Sequence, residues 1–322
     1  MKGKGIRIPK NSAQNIINEI KRKNYYNNDL KIIDDGNFII IPVKDYFSLT
    51  DYKISEYEFD EMVRKRNYRD FLNLDEGIRK MLPKSYDRIG NIVIIKLEKN
   101  LTEYEKEISE AILKMHKNVR TVAVDTGVKG EFRIRNLKII HGNVEDTIYV
   151  ENGIRMFANP FKVYFSPRLS NERKYISDII EDNEVVFDLF CGSGPFSMNI
   201  SRKRKAIIYS IDKNPYGIFL LRKSMKINNI ENIIPIAGDI RIVLNNLPVA
   251  DRIIMDLPFN SKDFLKYVRN NVRSGTKIHM YIMSERQNLM KMDEEWVSLK
   301  NITEVHQYSP RISMFRIDME VK

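Results

Sequence analysis

The chain has 322 residues and carries 54 Lys and Arg against 43 Asp and Glu, a formal charge of +11. That length suits two or three globular modules. The positive excess favours a polyanionic partner such as nucleic acid, because each neutralised phosphate releases counterions. A single cysteine, Cys191, excludes an intrachain disulfide, and four scattered histidines suggest no metal site, so none is expected. The opening "MKGKGIRIPKNSAQ" is polar, and no run approaches the ~20 apolar residues of a membrane span. The expectation is a cytoplasmic protein, monomeric and free of membranes.

In chain order, "PKNSAQNIINEIKRK" sets Ile16, Ile17 and Ile20 on one helical face, with Ser12 as its cap. "LKIIDDGNFIIIPV" reads as strand, turn, strand. The charged stretch "DYKISEYEFDEMVRKRNYRDFLN" reads as a connector or a helix, and residues 1–58 as a small α/β domain. A middle α+β domain follows over 59–160. Within it "IVIIKL" is a strand, and "LTEYEKEISEAILKMHKN" a helix with Ile108, Ala111, Ile112 and Met115 as its apolar stripe. Thr102 and Glu105 have the spacing of a capping box. "VRTVAVDT", "FRIRNLKIIHG", "DTIYVENGIRMFAN" and "KVYFS" are strand-like and predict antiparallel pairing.

From 161 to 322 strands and helices alternate: "VVFDLF", a helix from Pro195, "AIIYSID", "YGIFLLRKSMKIN", "NIIPIAG", "DRIIMDL" and "TKIHMYIM". This order predicts a mostly parallel, doubly wound α/β sheet. Ligands in such sheets sit at the carboxyl ends of the strands. Four of those ends carry a carboxylate: Asp188, Asp212, Asp239 and Asp256. After Asp188, Gly192 and Gly194 let the backbone turn tightly beside a ligand. Asp212 follows 24 residues on, at the distance that suits a ribose diol. The third glycine of a dinucleotide fingerprint is absent, and Pro195–Phe196 follow at once. Cys191 reads as a small buried filler.

The Asp-X-Phe-X-Gly-X-Gly strand end with its series of acids resembles the Rossmann-like class I S-adenosylmethionine-dependent methyltransferases. The resemblance places Asp188, Phe190, Gly192 and Gly194 beside the amino-acid part of S-adenosylmethionine. Asp212 would take the ribose hydroxyls, Asp239 the adenine amino group, and Asp256 with Pro258 would lie near cofactor and target base. "LPKSYDRIGNIVIIKL", "GVKGEFRIRNLKIIHG", "VYFSPRLSNER", "YSIDKNPYG" and "VHQYSPRISMFRIDMEV" extend the likeness over nearly the whole chain. Together they resemble the archaeal and eukaryotic tRNA (guanine-N1)-methyltransferases that act at position 37, beside the anticodon. That family's small N-terminal domain docks on the tRNA elbow, and "IRIPK…LKIIDDGNFIIIPV" is similar to it.

Guanine N1 carries a proton that must leave before a methyl group can add, and charge then builds toward O6. Such a site needs a base near N1 and a cation or donor near O6. The resemblance implies Glu172 as that base, Arg133 as the O6 partner, Tyr164 as a holder of the target base or methyl group, and Arg168 at the rim of the cofactor site. Arg133 is chosen over Arg135 because it directly follows "GEF". Taken without the family, Glu172 and Arg173 would be an ordinary helix-start pair, and Arg133 and Arg135 a solvated basic ribbon on one strand face. Where the family carries Asn-Leu-Pro or Asn-Pro-Pro, this chain has Asp256-Leu257-Pro258. A carboxylate accepts but cannot donate as an amide does, which leaves open a second activity on C7 of a wyosine precursor. Two further alternatives are the wyosine-pathway aminocarboxypropyl transfer and a tRNA-binding protein with a vestigial cofactor fold. The N-terminal module and the pair Arg133 and Glu172 argue for methyl transfer.

Overall fold

The computed structural model describes residues 1–45, 52–62, 67–132, 134–285, 294–309 and 311–322, and these divide into two compact units, Met1–Asn67 and Tyr68–Lys322. No helix among them is long and apolar enough to cross a membrane.

The first unit is an antiparallel sheet with one helix. It comprises β1 (Lys2–Pro9), α1 (Ala13–Arg22), β2 (Ile33–Asp35), β3 (Phe38–Val43) and β4 (Ile54–Glu58), with strand order β2-β3-β1-β4. Ile16 and Ile20 of α1 bury against Ile6, Ile8, Ile41 and Val43, which realises the expected apolar stripe. Ser12 does not cap α1; its hydroxyl donates back to the Pro9 carbonyl at 3.2 Å. The charged segment expected as a connector or helix contributes β4, which pairs antiparallel with β1. Its residues 51 and 63–66 lie outside the described residues.

The second unit opens with α2 (Glu76–Met81), β5 (Asp87–Ile89), β6 (Ile92–Ile95), α3 (Glu105–Met115), β7 (Thr121–Lys129) and β8 (Ile134–His141). These strands form a sheet in the order β5-β6-β7-β8. Only its β6–β7 pair is parallel, because α3 supplies the crossover. Ile108, Ala111 and Ile112 bury the inner face of α3. The Thr102–Glu105 capping box does not form: a 3-10 turn over Lys99–Tyr104 precedes the helix, Thr102 donates to the Lys99 carbonyl, and Glu105 pairs with Lys138.

The hairpin β9 (Thr147–Glu151) and β10 (Ile154–Ala158) follows. Then come α4 (Ser170–Ile179), β11 (Val185–Leu189), α5 (Pro195–Lys203), β12 (Ile207–Asp212), α6 (Pro215–Asn228) and β13 (Ile233–Ala237). The chain ends with α7 (Ile240–Val243), β14 (Arg252–Met255), α8 (Ser261–Phe264), β15 (Lys277–Ser284), β16 (Val297–Gln307) and β17 (Ser313–Val321). Among the described residues seven strands align in the order β13-β12-β11-β14-β15-β17-β16. The first five are parallel, and β17 runs antiparallel to both its neighbours. One core sets Ile176, Met198, Ile218 and Leu221 from α4, α5 and α6 against the sheet, and Ile154 and Met156 of the β9–β10 hairpin join it. The other face is covered by Ile240, Leu244, Leu265 and Val268. Strand order reverses between β12 and β14 at β11, and in such sheets the ligand crevice belongs at the carboxyl end of the strand where the order reverses.

Candidate active site

At that crevice the chain leaves β11 through three left-handed residues: Phe190 (φ 64°), Gly192 (57°) and Gly194 (74°). A side chain at Gly194 would place Cβ 2.4 Å from Leu221, so both backbone and packing demand glycine there. Phe190 adopts the same region at a steric cost of about 1–2 kcal/mol while its ring packs edge-on to Phe264. The turn aims its groups at the acids. Gly192 N donates to Asp212 Oδ2 at 2.6 Å, and Asp188 Oδ2 accepts from Ser197 N and Oγ at 3.1 and 2.5 Å. Asp188 Oδ1 and Ser193 Oγ are buried with no partner among the described residues.

The four acids differ. Burial pushes Asp188 up to about 7, with the Ser197 bonds opposing and Asp256 and Asp212 adding. Burial also raises Asp212, against backbone bonds from Asn214 and Gly192. Asp256 rises to about 6, again from burial, offset by Arg173 and reinforced by Glu172. Asp239 is held well below the carboxylate range by the Arg241 side chain, and it caps α7 by accepting from Arg241 N at 3.0 Å. Pro258 follows Asp256, and its carbonyl accepts from Met283 N at 2.8 Å. One buried acid with an orphaned oxygen and three half-buried ones suit a ligand bearing positive charge and hydroxyl donors. The ammonium, sulfonium and ribose of S-adenosylmethionine fit that set.

Beside the crevice Glu172, in the first turn of α4, is buried and accepts from Tyr281 Oη at 2.9 Å and Arg316 Nη1 at 2.5 Å. Its neighbour Arg173 turns to Glu151, with bonds of 2.7 and 2.5 Å, so the helix-start pair divides between two partners. A cavity of about 440 Å³ opens against Glu172, lined also by Arg168, Asn171, Tyr175 and Arg316. Tyr164 is exposed, with the Arg135 guanidinium 5.7 Å from its ring centre. Burial and then Tyr164 push the Tyr308 phenol up.

Arg135 is no solvated ribbon residue: it is buried and pairs with Asp87 Oδ2 at 2.8 Å. Arg168 takes Asp87 Oδ1 at 2.8 Å. One buried carboxylate on β5 thus joins β8 to the turn that leads into α4. Arg133 lies outside the described residues. Asp188, Phe190, Gly192, Gly194, Asp212, Asp239, Asp256 and Pro258 lie at or just beyond the ends of β11 to β14. Glu172, Tyr164 and Arg168 belong to the segment before β11.

Sequence reasoning missed Asp87, Tyr281 and Arg316. The signal for Arg316 was present in "MFRIDME", where Arg316, Asp318 and Glu320 fall on one face and apolar residues on the other. Charges repeated at period two inside a buried strand require partners.

Comparison with known proteins agrees with this geometry. The profile of the "TRM5/TYW2 methyltransferase domain" matches residues 147–309, that of the "TYW2 N-terminal domain" residues 68–147, and that of the "tRNA methyltransferase 5 N-terminal domain" residues 5–48. The tRNA (guanine(37)-N(1))-methyltransferase Trm5b of Pyrococcus abyssi is 38% identical over 279 residues, 86% of this chain and 83% of that one. A tRNA(Phe) (4-demethylwyosine(37)-C(7)) aminocarboxypropyltransferase of Pyrococcus horikoshii is 28% identical, covering 76% and 87%. A solved complex of aTrm5 with tRNALeu superposes with a TM-score of 0.72 at 30% identity, covering 99% of both chains. The family inferred from the motifs is thus upheld: the chain belongs to the TRM5/TYW2 family of class I S-adenosylmethionine-dependent tRNA methyltransferases.

Proposed function

We propose that the protein transfers a methyl group from S-adenosylmethionine to N1 of guanine 37 in tRNA. The observation that carries this reading is a buried carboxylate, Glu172, set beside the acid-lined crevice and opening on a cavity. When bound, the cofactor supplies an electrophilic methyl group on a cationic sulfur. Asp188 and Ser193 would hold its amino-acid end, Asp212 its ribose and Asp239 its adenine, and Asp256 would lie near the cofactor and the target base. Glu172 would take the N1 proton as the methyl group passes from sulfur to N1, leaving a neutral thioether, and Arg133 would meet the charge that builds on O6. Tyr164 and Arg168 form the rim. A base in an anticodon loop must be turned out to reach such a site, and the exposed Phe259 ring offers a face for it. The match of residues 5–48 to a tRNA methyltransferase 5 N-terminal domain supports methyl rather than aminocarboxypropyl transfer.

In this reading residues 1–58 recognise the tRNA elbow, 59–160 contact the anticodon branch, and 161–322 bind cofactor. The protein acts as a monomer in the cytoplasm. The test supplies cofactor labelled either in the methyl group or in the aminocarboxypropyl chain to unmodified tRNA transcripts. Methyl label should enter transcripts with G37 and not those with A37. Entry of the aminocarboxypropyl label would overturn the reading.

A further inference from the structure

The partners of Glu172 are unevenly placed. Tyr281 and Arg316 both donate to the same oxygen, Oε1. They are direct cross-strand neighbours on β15 and β17, so one rung of the sheet presents both donors. Arg316 is itself fixed. Its Nε donates to Asp318 Oδ1 at 2.8 Å, its Nη2 to Thr303 Oγ1 at 3.2 Å, and its guanidinium lies 4.2 Å from the Tyr175 ring centre.

The support continues inward. Asp318 Oδ1 lies 2.7 Å from His279 Nδ1, and His279 Nε2 lies 2.8 Å from Arg252 Nη1. A guanidinium only donates, so Nε2 accepts, and the ring proton sits on Nδ1 facing Asp318. Burial holds His279 below its ordinary pKa, in keeping with a neutral ring. Arg252 is anchored by two bonds of 2.7 Å to Glu184. A continuous polar chain therefore runs from Glu172 through Arg316, Asp318, His279 and Arg252 to Glu184. It has no slack by which Arg316 could leave Oε1 without exposing a buried charge.

We propose that Tyr281 and Arg316 are positioning residues that clamp Glu172 by Oε1 and present Oε2 as the oxygen that receives the substrate proton. The inference rests on the reading of Glu172 as the base. The charged and titratable groups around Glu172 are Arg316 on β17, Tyr281 on β15, Asp256 beyond β14, Arg173 and Tyr175 on α4, and, across the cavity, Arg168 and Glu304. Arg168 is taken by Asp87 and Arg173 by Glu151, and Asp256 and Glu304 are acids. Arg316 is thus the cation that favours the ionised carboxylate.

The experiment measures single-turnover methylation of a G37 transcript across about pH 5 to 9 for the full chain and three variants. Arg316→Met should move the acid limb of the profile up by about one pH unit or more, with a loss of about tenfold on the limb that shrinks as pH rises. Arg316→Lys, which keeps the charge and loses the fork, should fall between it and the parent. Tyr281→Phe should shift the limb the same way by less, with cofactor affinity unchanged. A limb that stays in place, or a loss equal at every pH, overturns the clamp. Should Arg316→Met not fold, Tyr281→Phe decides by the same criterion. Glu172→Gln runs in parallel. Substantial activity in that variant would sink the base assignment itself, whereas an inactive Glu172→Gln with unmoved limbs elsewhere would sink the clamp alone.

Discussion

Asp188 and Asp256 share a predicament: each is a carboxylate among other acids, and burial outweighs what would keep it ionised, the Ser197 bonds for Asp188 and the Arg173 charge for Asp256. Such groups are poised for a cationic ligand, and they cost stability until one arrives. Asp256, raised from 3.8 to about 6, binds a proton more tightly folded than unfolded. Its contribution to stability therefore declines as pH rises from about 4 to beyond 6. Asp256→Asn should stabilise the cofactor-free protein at pH 8 by on the order of 2 kcal/mol, with the gain gone below about pH 4. Denaturant unfolding at the two pH values checks this; a variant less stable than the parent at pH 8 would contradict it. These acids were legible in the sequence because each ends an apolar strand. The clamp on Glu172 was not, because Tyr281 and Arg316 stand 109 and 144 residues away and meet it only through strand order.

At the level of elements, the turn from β11 into α5 shows how local rules set the site. Pro195 starts the helix and Gly194 precedes it in a left-handed conformation, so the chain reverses within a few residues of Asp188. Gly194→Ala would strain the backbone and press on buried Leu221, costing about 1–3 kcal/mol. Thermal melting should show a Tm lower by several degrees; an unchanged Tm would speak against the packing described. Periodicity revealed most elements of the catalytic half, because parallel strands buried on both faces read as apolar runs. Caps were read less well. Ser12 and Thr102 have the right residue type and spacing, yet each hydroxyl donates to the carbonyl three residues back. Ser and Thr side chains serve either role, and spacing alone does not choose. β4 was missed because this edge strand has no apolar face: Ile54 shares its face with Glu56 and Glu58, and Tyr57 shares the other with Ser55.

Across the whole molecule, the strand-end acids and Glu172 hang on different supports. The acids hang from the ends of β11 to β14, while Glu172 rides on α4 and is held by β15 and β17. A change at Glu172 should therefore separate rate from cofactor affinity. The excess of positive charge belongs to the same scale, as the footprint of a polyanionic substrate. Composition could suggest that partner, but the order of motifs along the chain was needed to name it as tRNA. The most direct measurement compares Glu172→Gln with the parent in single-turnover methylation of G37 and in S-adenosylmethionine binding. The account predicts a rate lower by about 100-fold or more, within the range of general-base contributions, and a cofactor Kd changed by less than about twofold. A variant that methylates at the parental rate, or that loses affinity in step with rate, would contradict it.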